Sequence, residues 1–207
     1  MTIIALLTLW CVFYVKPSEK GAKNLILIGR SKPKIEATQI IAKLENQGVN
    51  VLVSQTDITQ PEALNKLLAK INHSLPPLKG IIHCAGVLND KLLISQNWSQ
   101  FSKVLAPKIQ GTWNLHQLTQ NIPLEFFILF SSAASLLGSP GQGHYSAANY
   151  FLDAIATYRH QLNLPALSIN WGAWDTSGMA VTKSLAVKGM NFIPVDKGLN
   201  IFSTLTF

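Results

Sequence analysis

Short apolar runs alternate with segments whose apolar residues recur every three or four positions. The apolar runs, each predicting a buried strand, are NLILIG (24–29), VNVLVSQ (49–55), GIIHCAG (80–86), EFFILFSS (125–132) and ALSINW (166–171). The intervening segments predict helices over 35–47, 60–71, 96–118 and 144–161, with another from Asp196 onwards. Pro107 is expected to break or kink the third of these helices, because proline lacks an amide hydrogen.

Alternation of strands and helices with short connections predicts an α/β fold, a Rossmann-like doubly wound parallel sheet with helices on both faces. In such sheets ligands bind beyond the carboxyl ends of the strands. We therefore expect the chemistry of this protein at the strand ends, which are Arg30, Asp57, Ala85–Gly86, Ser131–Ser132 and Trp171–Gly172.

The first 20 residues differ from the rest. MTIIALLTLWCVFYV contains no charged side chain before Lys16, yet it is shorter than the roughly 20 residues that a membrane-spanning helix needs. It also lacks the basic start and small-residue cleavage site of a secretory signal. A buried strand or core helix is the favoured interpretation, and a membrane-associated segment is the alternative. We treat 1–20 as an atypical segment and 21–207 as the folded domain.

Composition narrows the class of protein. The 207 residues are 48% apolar and 13% charged, which suits one globular domain and argues against disorder. Two cysteines are too few for a disulfide framework and favour the cytoplasm. The net charge of +7 is scattered, without a basic run or interleaved aromatic residues, so nucleic acid is not an expected partner. The scattered positive charge could serve to bind a phosphorylated cofactor or an acidic protein partner, or the lysines could simply be solvated surface residues.

Four polar residues near the fourth predicted strand suit carbonyl chemistry. Tyr145 and Asn149 are four residues apart on one helix face, and Ser132 ends the strand before them. A lysine such as Lys108, on the preceding helix, would lower the pKa of the phenol, and a serine hydroxyl could hold a substrate carbonyl. The phenol could then protonate a developing alkoxide after hydride delivery. Each residue taken alone is more commonly structural.

A family resemblance adds to this interpretation. SSAASLLGSPGQGHYSAANYFLDA, NLILIGRS, HCAGVLND, VLAPKIQGTWNLH and INWGAW resemble the ketoreductase domains of modular polyketide synthases, within the short-chain dehydrogenase/reductase superfamily. The similarity extends over roughly residues 21–194. These ketoreductases place asparagine four residues after the tyrosine and take the lysine from the previous helix, as this sequence does.

The resemblance implies NADPH-dependent reduction of a β-ketoacyl thioester on an acyl carrier protein, beside neighbouring synthase domains. It implies Tyr145 as proton donor, Ser132 as carbonyl-binding partner, Lys108 as a group that tunes the phenol and contacts the cofactor ribose, and Asn149 as part of the proton relay. The cofactor-binding positions that it implies are Arg30 for a 2′-phosphate, Asp57 and Ile58 at the adenine, and Ala85 and Gly86 at a close backbone approach.

The resemblance also implies residues at the substrate and its lid. Trp171, Gly172 and Trp174 resemble the entry to a lid over the nicotinamide. One stereochemical group of these enzymes carries a Leu-Asp-Asp signature where this chain has Leu88-Asn89-Asp90. The tryptophan that marks the other group is Leu137 here. We therefore expect the Leu-Asp-Asp group.

The chain departs from the family at both ends. Residues 1–20 contain no glycine, whereas the family has a first strand and a glycine-rich loop that binds the pyrophosphate. The family's last strand is also expected to be missing. A truncated or frameshifted ketoreductase is the expectation from these ends. It leaves three alternatives: a working reductase, an inactive fragment that serves as a pseudoenzyme or partner-binding module, and a membrane-associated reductase-like protein.

Overall fold

A six-stranded parallel sheet forms the centre of the molecule. The computed structural model describes residues 1–6, 21–175 and 191–206. The strands are β1 (Thr2–Leu6), β2 (Asn24–Gly29), β3 (Asn50–Gln55), β4 (Leu78–His83), β5 (Phe126–Ser132) and β6 (Leu167–Trp171). Their order is β3-β2-β1-β4-β5-β6, and every neighbouring pair is parallel. This is the doubly wound order, whose switch point lies between β1 and β4. The predicted fold class is confirmed.

The strand β1 corrects one part of the sequence-based expectation. We expected the first strand to be absent, yet Thr2–Leu6 lies in the middle of the sheet, paired with β2 on one side and β4 on the other. All five residues are buried, and the Thr2 hydroxyl donates to the Pro76 carbonyl at 2.8 Å. A central strand of a parallel sheet is covered on both faces, so an uninterrupted apolar run can fill it. The glycine-free segment 7–20 lies outside the described residues.

The helices follow the predicted pattern. They are α1 (Ile35–Asn46), α2 (Pro61–Ser74), α3 (Trp98–Lys108), α4 (Gln110–Thr119), α5 (Ala134–Leu137), α6 (Gly143–Gln161) and α7 (Val195–Thr206), with a 3₁₀ turn at Leu93–Ser95. The long helix predicted over 96–118 is interrupted at Ile109, two residues after Pro107. An Asn97–Gln100 capping box begins α3.

Two apolar layers enclose the sheet because side chains along each strand alternate between its faces. Ile4 and Leu6 of β1 face a cluster that includes residues of α2, α4 and α6. Ile3 and Ala5 face the opposite cluster, to which Leu44 of α1 and Phe202 of α7 contribute. Helices therefore cover both faces, and the carboxyl ends of the strands share one edge.

Candidate active site

Four side chains predicted from sequence converge at the carboxyl end of β5. Ser132 ends that strand, Tyr145 and Asn149 lie one turn apart on α6, and Lys108 is the last residue of α3. The Lys108 ammonium lies 5.9 Å from the centroid of the Tyr145 ring. Long-range folding thus brings together residues that are up to 41 positions apart in sequence.

The two serines at the end of β5 have different partners. The Ser131 hydroxyl is buried and donates to the Asn149 carbonyl at 3.1 Å, which fixes α6 against the strand. The Ser132 oxygen accepts the Ala134 amide hydrogen at 3.2 Å. Because that bond occupies a lone pair and not the hydroxyl hydrogen, Ser132 can still donate to a substrate oxygen.

Lys108 is held away from solvent. Only 2% of the residue is exposed, and its ammonium donates to the Phe130 carbonyl at 2.8 Å. Burial lowers the pKa of Lys108 to about 8, while the charges of Cys84 and Asp153 act in the opposite direction. The group therefore combines a fixed position with a proton that it can lose near neutral pH.

Tyr145 behaves differently from the expectation. We expected a lowered phenol pKa, but burial raises the pKa of Tyr145. Contacts with the Asn149 and Ser132 side chains act in the lowering direction, and the Asp90 carboxylate adds to the increase. Desolvation outweighs the polar neighbours because the charged phenolate loses the most solvation on burial. The phenol consequently keeps its proton at neutral pH, which is the form a proton donor requires.

Asn149 is fully buried, and its amide is only half satisfied. Its Nδ2 donates to the Tyr145 carbonyl at 2.8 Å. Its Oδ1 makes no hydrogen bond within the described part of the chain. A buried acceptor without a partner is costly and suits a water molecule or a ligand hydroxyl.

The predicted adenosine-binding residues lie at the ends of the neighbouring strands. Arg30 follows β2 and is exposed. Asp57 follows β3, and its Oδ1 accepts both the amide and hydroxyl hydrogens of Thr59, at 3.0 and 2.8 Å. The side chain of Ile58 is 5% exposed and belongs to the core, where a Cβ on Gly111 would come within 2.5 Å of its Cδ1. The Ile58 carbonyl already accepts a hydrogen bond from Asn114 Nδ2 at 2.9 Å, so neither its side chain nor its carbonyl is open to a ligand.

The turn after β4 borders the same site. Ala85 and Gly86 are half-buried, and the Ala85 amide hydrogen points to His83 Nδ1 at 3.3 Å. Asp90 accepts a hydrogen bond from Gln142 Nε2 at 3.1 Å, and the Lys91 amide donates to the Gly141 carbonyl at 2.9 Å. These contacts join the segment after β4 to the loop that begins α6.

Comparison with known proteins decides the family. Residues 15–176 match the KR domain family. The chain belongs to this family. It is 38% identical over 190 residues to a mycocerosic acid synthase-like polyketide synthase of Mycobacterium tuberculosis, covering 92% of this chain and 9% of that protein. It is 35% identical over 189 residues to a highly reducing polyketide synthase of Gibberella zeae, covering 88% and 7%. The chain thus spans less than a tenth of the length of these relatives.

Solved ketoreductase structures agree with the family assignment. A ketoreductase domain from the bacillaene assembly line superposes with a TM-score of 0.91 at 31% identity, covering 98% of this chain and 52% of that one. A-type ketoreductases from a modular polyketide synthase superpose with a TM-score of 0.90 at 32% identity, covering 99% and 45%. The predicted recognition of a polyketide synthase ketoreductase is confirmed.

In this KR domain the two tryptophans predicted at the entry to the lid have core side chains. Trp171 and Trp174 are 7% and 2% exposed, with ring centroids 4.8 Å apart. A Cβ on Gly198 of α7 would overlap the Trp174 ring, so the helix packs directly on it. The half-buried Gly172 lies between them, and Trp174 pairs with Ile193. These contacts anchor the backbone at 171–175, and the lid predicted to follow it lies outside the described residues. Leu137, at the end of α5, is 66% exposed.

Sequence reasoning missed two residues of this KR domain. His83 ends β4 and contacts both Ala85 and Pro107, the neighbour of Lys108. Asp153 lies one turn beyond Asn149 and accepts hydrogen bonds from Ser135, Ser168 and Asn170. The sequence does place a histidine in an apolar strand and an acidic residue four positions after Asn149. It does not show which residues each of them contacts.

The helices of this KR domain do not suit a membrane. Across residues 1–6, 21–175 and 191–206, every helix is too short or too polar to cross one. The same ranges contain no cluster of histidine, cysteine or acidic residues that could hold a metal ion. The apolar segment considered as a membrane anchor starts with β1, whose five residues lie inside the sheet.

Proposed function

We propose that this domain reduces a β-ketoacyl thioester, carried on an acyl carrier protein, to the β-hydroxyacyl form with NADPH. The convergence of Lys108, Ser132, Tyr145 and Asn149 at one strand end carries the proposal. Similarity to polyketide synthases supports a substrate bound to a carrier protein and a site of action beside other synthase domains.

The residues divide the proton chemistry among them. The Ser132 hydroxyl donates to the substrate carbonyl oxygen and holds it beside the phenol. When bound, the dihydronicotinamide supplies a hydride to the carbonyl carbon. Tyr145 then gives its phenol proton to the oxygen, which completes the alcohol. The Asn149 side chain contacts the phenol, and the Lys108 ammonium lies 5.9 Å from the centroid of its ring; in this proposal both take part in the reprotonation of the phenol.

The residues of the site fit a nicotinamide cofactor at two of its parts. Asn149 Oδ1, which has no hydrogen-bond partner within the described residues, would accept from a ribose hydroxyl, and the turn at Ala85 and Gly86 provides small side chains. At the adenosine end, the exposed Arg30 suits a 2′-phosphate, and Asp57 with Ile58 would flank the adenine. These positions favour NADPH over NADH.

A second candidate rests on the pyrophosphate end. The chain leaves β1 at the carboxyl edge of the sheet, where the glycine-rich loop of the family begins, but residues 7–20 contain no glycine. Loss of several charged hydrogen bonds to the pyrophosphate would weaken binding by about 1.5–3 kcal/mol each. An inactive ketoreductase that serves as a pseudoenzyme or partner-binding module is therefore the second candidate. A membrane-associated reductase is less well supported, since β1 is buried in the sheet.

The product's stereochemistry is part of the proposal. The Leu88-Asn89-Asp90 segment keeps the last aspartate of the Leu-Asp-Asp signature. Asp90 is anchored to Gln142, one residue before α6, so it borders the route to Tyr145. Exposed Leu137 occupies the position of the tryptophan that marks the other group. We assign the domain to the Leu-Asp-Asp group.

Cofactor binding separates the two leading candidates. We expect NADPH fluorescence to increase on titration of the purified chain, and no binding at millimolar NADPH would support the inactive fragment. If NADPH binds, reduction of a β-ketoacyl thioester of N-acetylcysteamine should fall by about 10²–10⁴-fold in Tyr145→Phe. Unchanged turnover in that variant would refute the role of Tyr145. Trp113→Phe, a change at a half-exposed ring on α4, is the control.

The KM values for NADPH and NADH test the proposed contact between Arg30 and the 2′-phosphate. Arg30→Gln should raise the KM for NADPH at least about tenfold and leave the KM for NADH within about twofold, because only NADPH carries the 2′-phosphate. Lys32→Gln removes another exposed cation two residues away and should change neither value. Equal effects of the two substitutions would indicate a general loss of positive potential and would contradict a specific phosphate contact.

A further inference from the structure

His83 occupies an unusual position for a histidine. It is the last residue of β4, 1% exposed, beside the switch point of the sheet. In the sheet register it lies opposite Leu6 of β1 and Leu129 of β5. The other buried residues of β4 are apolar or glycine. A buried imidazole at this position therefore requires hydrogen-bond partners for its ring nitrogens.

Both ring nitrogens of His83 have partners, and together they define its protonation. Nδ1 lies 3.3 Å from the Ala85 amide nitrogen, which is a donor, so Nδ1 must accept. Nε2 lies 3.1 Å from the Pro107 carbonyl oxygen, which is an acceptor, so Nε2 must carry the hydrogen. A neutral imidazole with its hydrogen on Nε2 satisfies both bonds at once.

The Pro107 bond secures the end of α3. The last carbonyls of a helix lack intrahelical partners. The Leu105 carbonyl receives the Ile109 amide hydrogen at 2.7 Å, and the Pro107 carbonyl receives the imidazole. The next residue is Lys108, whose ammonium donates to the Phe130 carbonyl on the neighbouring strand. Two adjacent strands therefore hold two adjacent residues of the helix.

We propose that His83 is a positioning residue that ties the end of α3, and through it Lys108, to the turn that carries Ala85. The imidazole sets the position of the lysine on one side and of the turn at Ala85–Gly86 on the other. Its role in turnover rests on the proposed ketoreductase function, whereas its effect on Lys108 does not. The ionisable groups around it are Lys108 and Cys84, and Asp153 also faces Lys108.

Desolvation and the Lys108 charge are the reasons why His83 stays neutral. Burial, followed by the Lys108 charge, lowers the pKa of His83 to about 3, although the Pro107 carbonyl acts in the raising direction. The donor–acceptor pattern of the ring therefore persists throughout the neutral pH range. A permanently neutral histidine is suited to holding two backbone groups in place, and it does not exchange protons with substrate.

Nuclear magnetic resonance on the wild-type chain tests the geometry without any substitution. The ¹⁵N shifts of His83 should report the neutral form with hydrogen on Nε2, unchanged from about pH 5 to about pH 8. Titration near the ordinary histidine pKa of about 6.5, or a hydrogen on Nδ1, would overturn the proposal.

Two substitutions separate the two bonds. His83→Asn places an amide oxygen near the Nδ1 position, so it can accept from Ala85 but cannot reach Pro107. His83→Gln extends an amide group towards the Nε2 position, so it can donate to Pro107. The titration midpoint of Lys108 is measured from the pH dependence of its ¹³Cε chemical shift, assigned by comparison with Lys108→Met, and circular dichroism confirms folding.

The two variants should differ. We expect the wild type and His83→Gln to share a Lys108 midpoint near 8, and His83→Asn to move it towards the ordinary lysine value of about 10.4 as water reaches the ammonium. An unchanged midpoint in both variants, or an equal shift in both, would overturn the role of the Pro107 bond. Turnover should fall with His83→Asn more than with His83→Gln. A wild type that lacks turnover but shows these midpoints would refute the proposed function and leave the positioning role intact.

Discussion

Asp153 is expected to be one of the most destabilising positions to truncate on α6, because three donors from other elements converge on its carboxylate. Its Oδ2 accepts Ser135 Oγ at 2.7 Å and Asn170 Nδ2 at 2.9 Å, and its Oδ1 accepts Ser168 Oγ at 2.5 Å. Asn170 Nδ2 also lies 3.3 Å from Ser131 Oγ. One half-buried carboxylate therefore joins α5, α6 and β6 behind the candidate active site.

The magnitude follows from the number of bonds and their exposure. A hydrogen bond to a charged group contributes about 1.5–3 kcal/mol, and one between neutral groups about 0.5–1.5 kcal/mol. Asp153→Ala removes three hydrogen bonds to a charged acceptor, but Ser135 Oγ and Asn170 Nδ2 remain 2.8 Å apart and water can reach part of the site. We expect a loss of about 3–4 kcal/mol in the free energy of unfolding. Asp153→Asn keeps an acceptor and its shape, so we expect a loss of about 1–2 kcal/mol.

Urea unfolding followed by far-ultraviolet circular dichroism at neutral pH measures these differences. Ser168→Ala should cost about 1 kcal/mol, since it removes one of the three bonds. Glu45→Ala, at an exposed acidic residue near the end of α1, should change stability by less than about 0.5 kcal/mol. The reasoning is refuted if Asp153→Ala costs less than about 1 kcal/mol, or if the Asn and Ala variants are equally unstable.

Two further predictions concern Lys108 and Gly198. The folded-state pKa of Lys108 is about 8, below the unfolded value, so the unfolded chain binds more protons between about pH 8 and 10. The free energy of unfolding of the wild type relative to Lys108→Met should therefore rise by up to about 3 kcal/mol across that window, and a flat difference would contradict the burial. Gly198→Ala should lower the free energy of unfolding by about 1–3 kcal/mol despite alanine's better helix propensity, because its Cβ would meet the Trp174 ring. Adding Trp174→Leu should recover part of that loss, and additive effects would argue against the contact.

The local pattern of the sequence determined most of the elements. Residues 24–29 form β2 as predicted, and α6 begins one residue before the predicted 144–161 helix. The long helix ends close to the expected place, but α3 continues through Pro107 to Lys108 and the break falls at Ile109, so the missing proline donor alone does not explain it. Candidate site residues at the strand ends were predictable because the strand–helix alternation predicts a parallel sheet, whose strands end at a common edge.

Tertiary structure decided what distant parts of the chain do to one another. The apolar residues 2–6 could be read as strand or helix, and only pairing with β2 and β4 made them a central strand. The direction of the Tyr145 pKa shift depended on burial, which a residue's neighbours in sequence do not specify. The contact between His83 and Pro107, 24 positions apart, likewise requires the sheet and α3 to be in place. Sequence determined which groups are available for chemistry, and packing determined which are paired, desolvated or exposed.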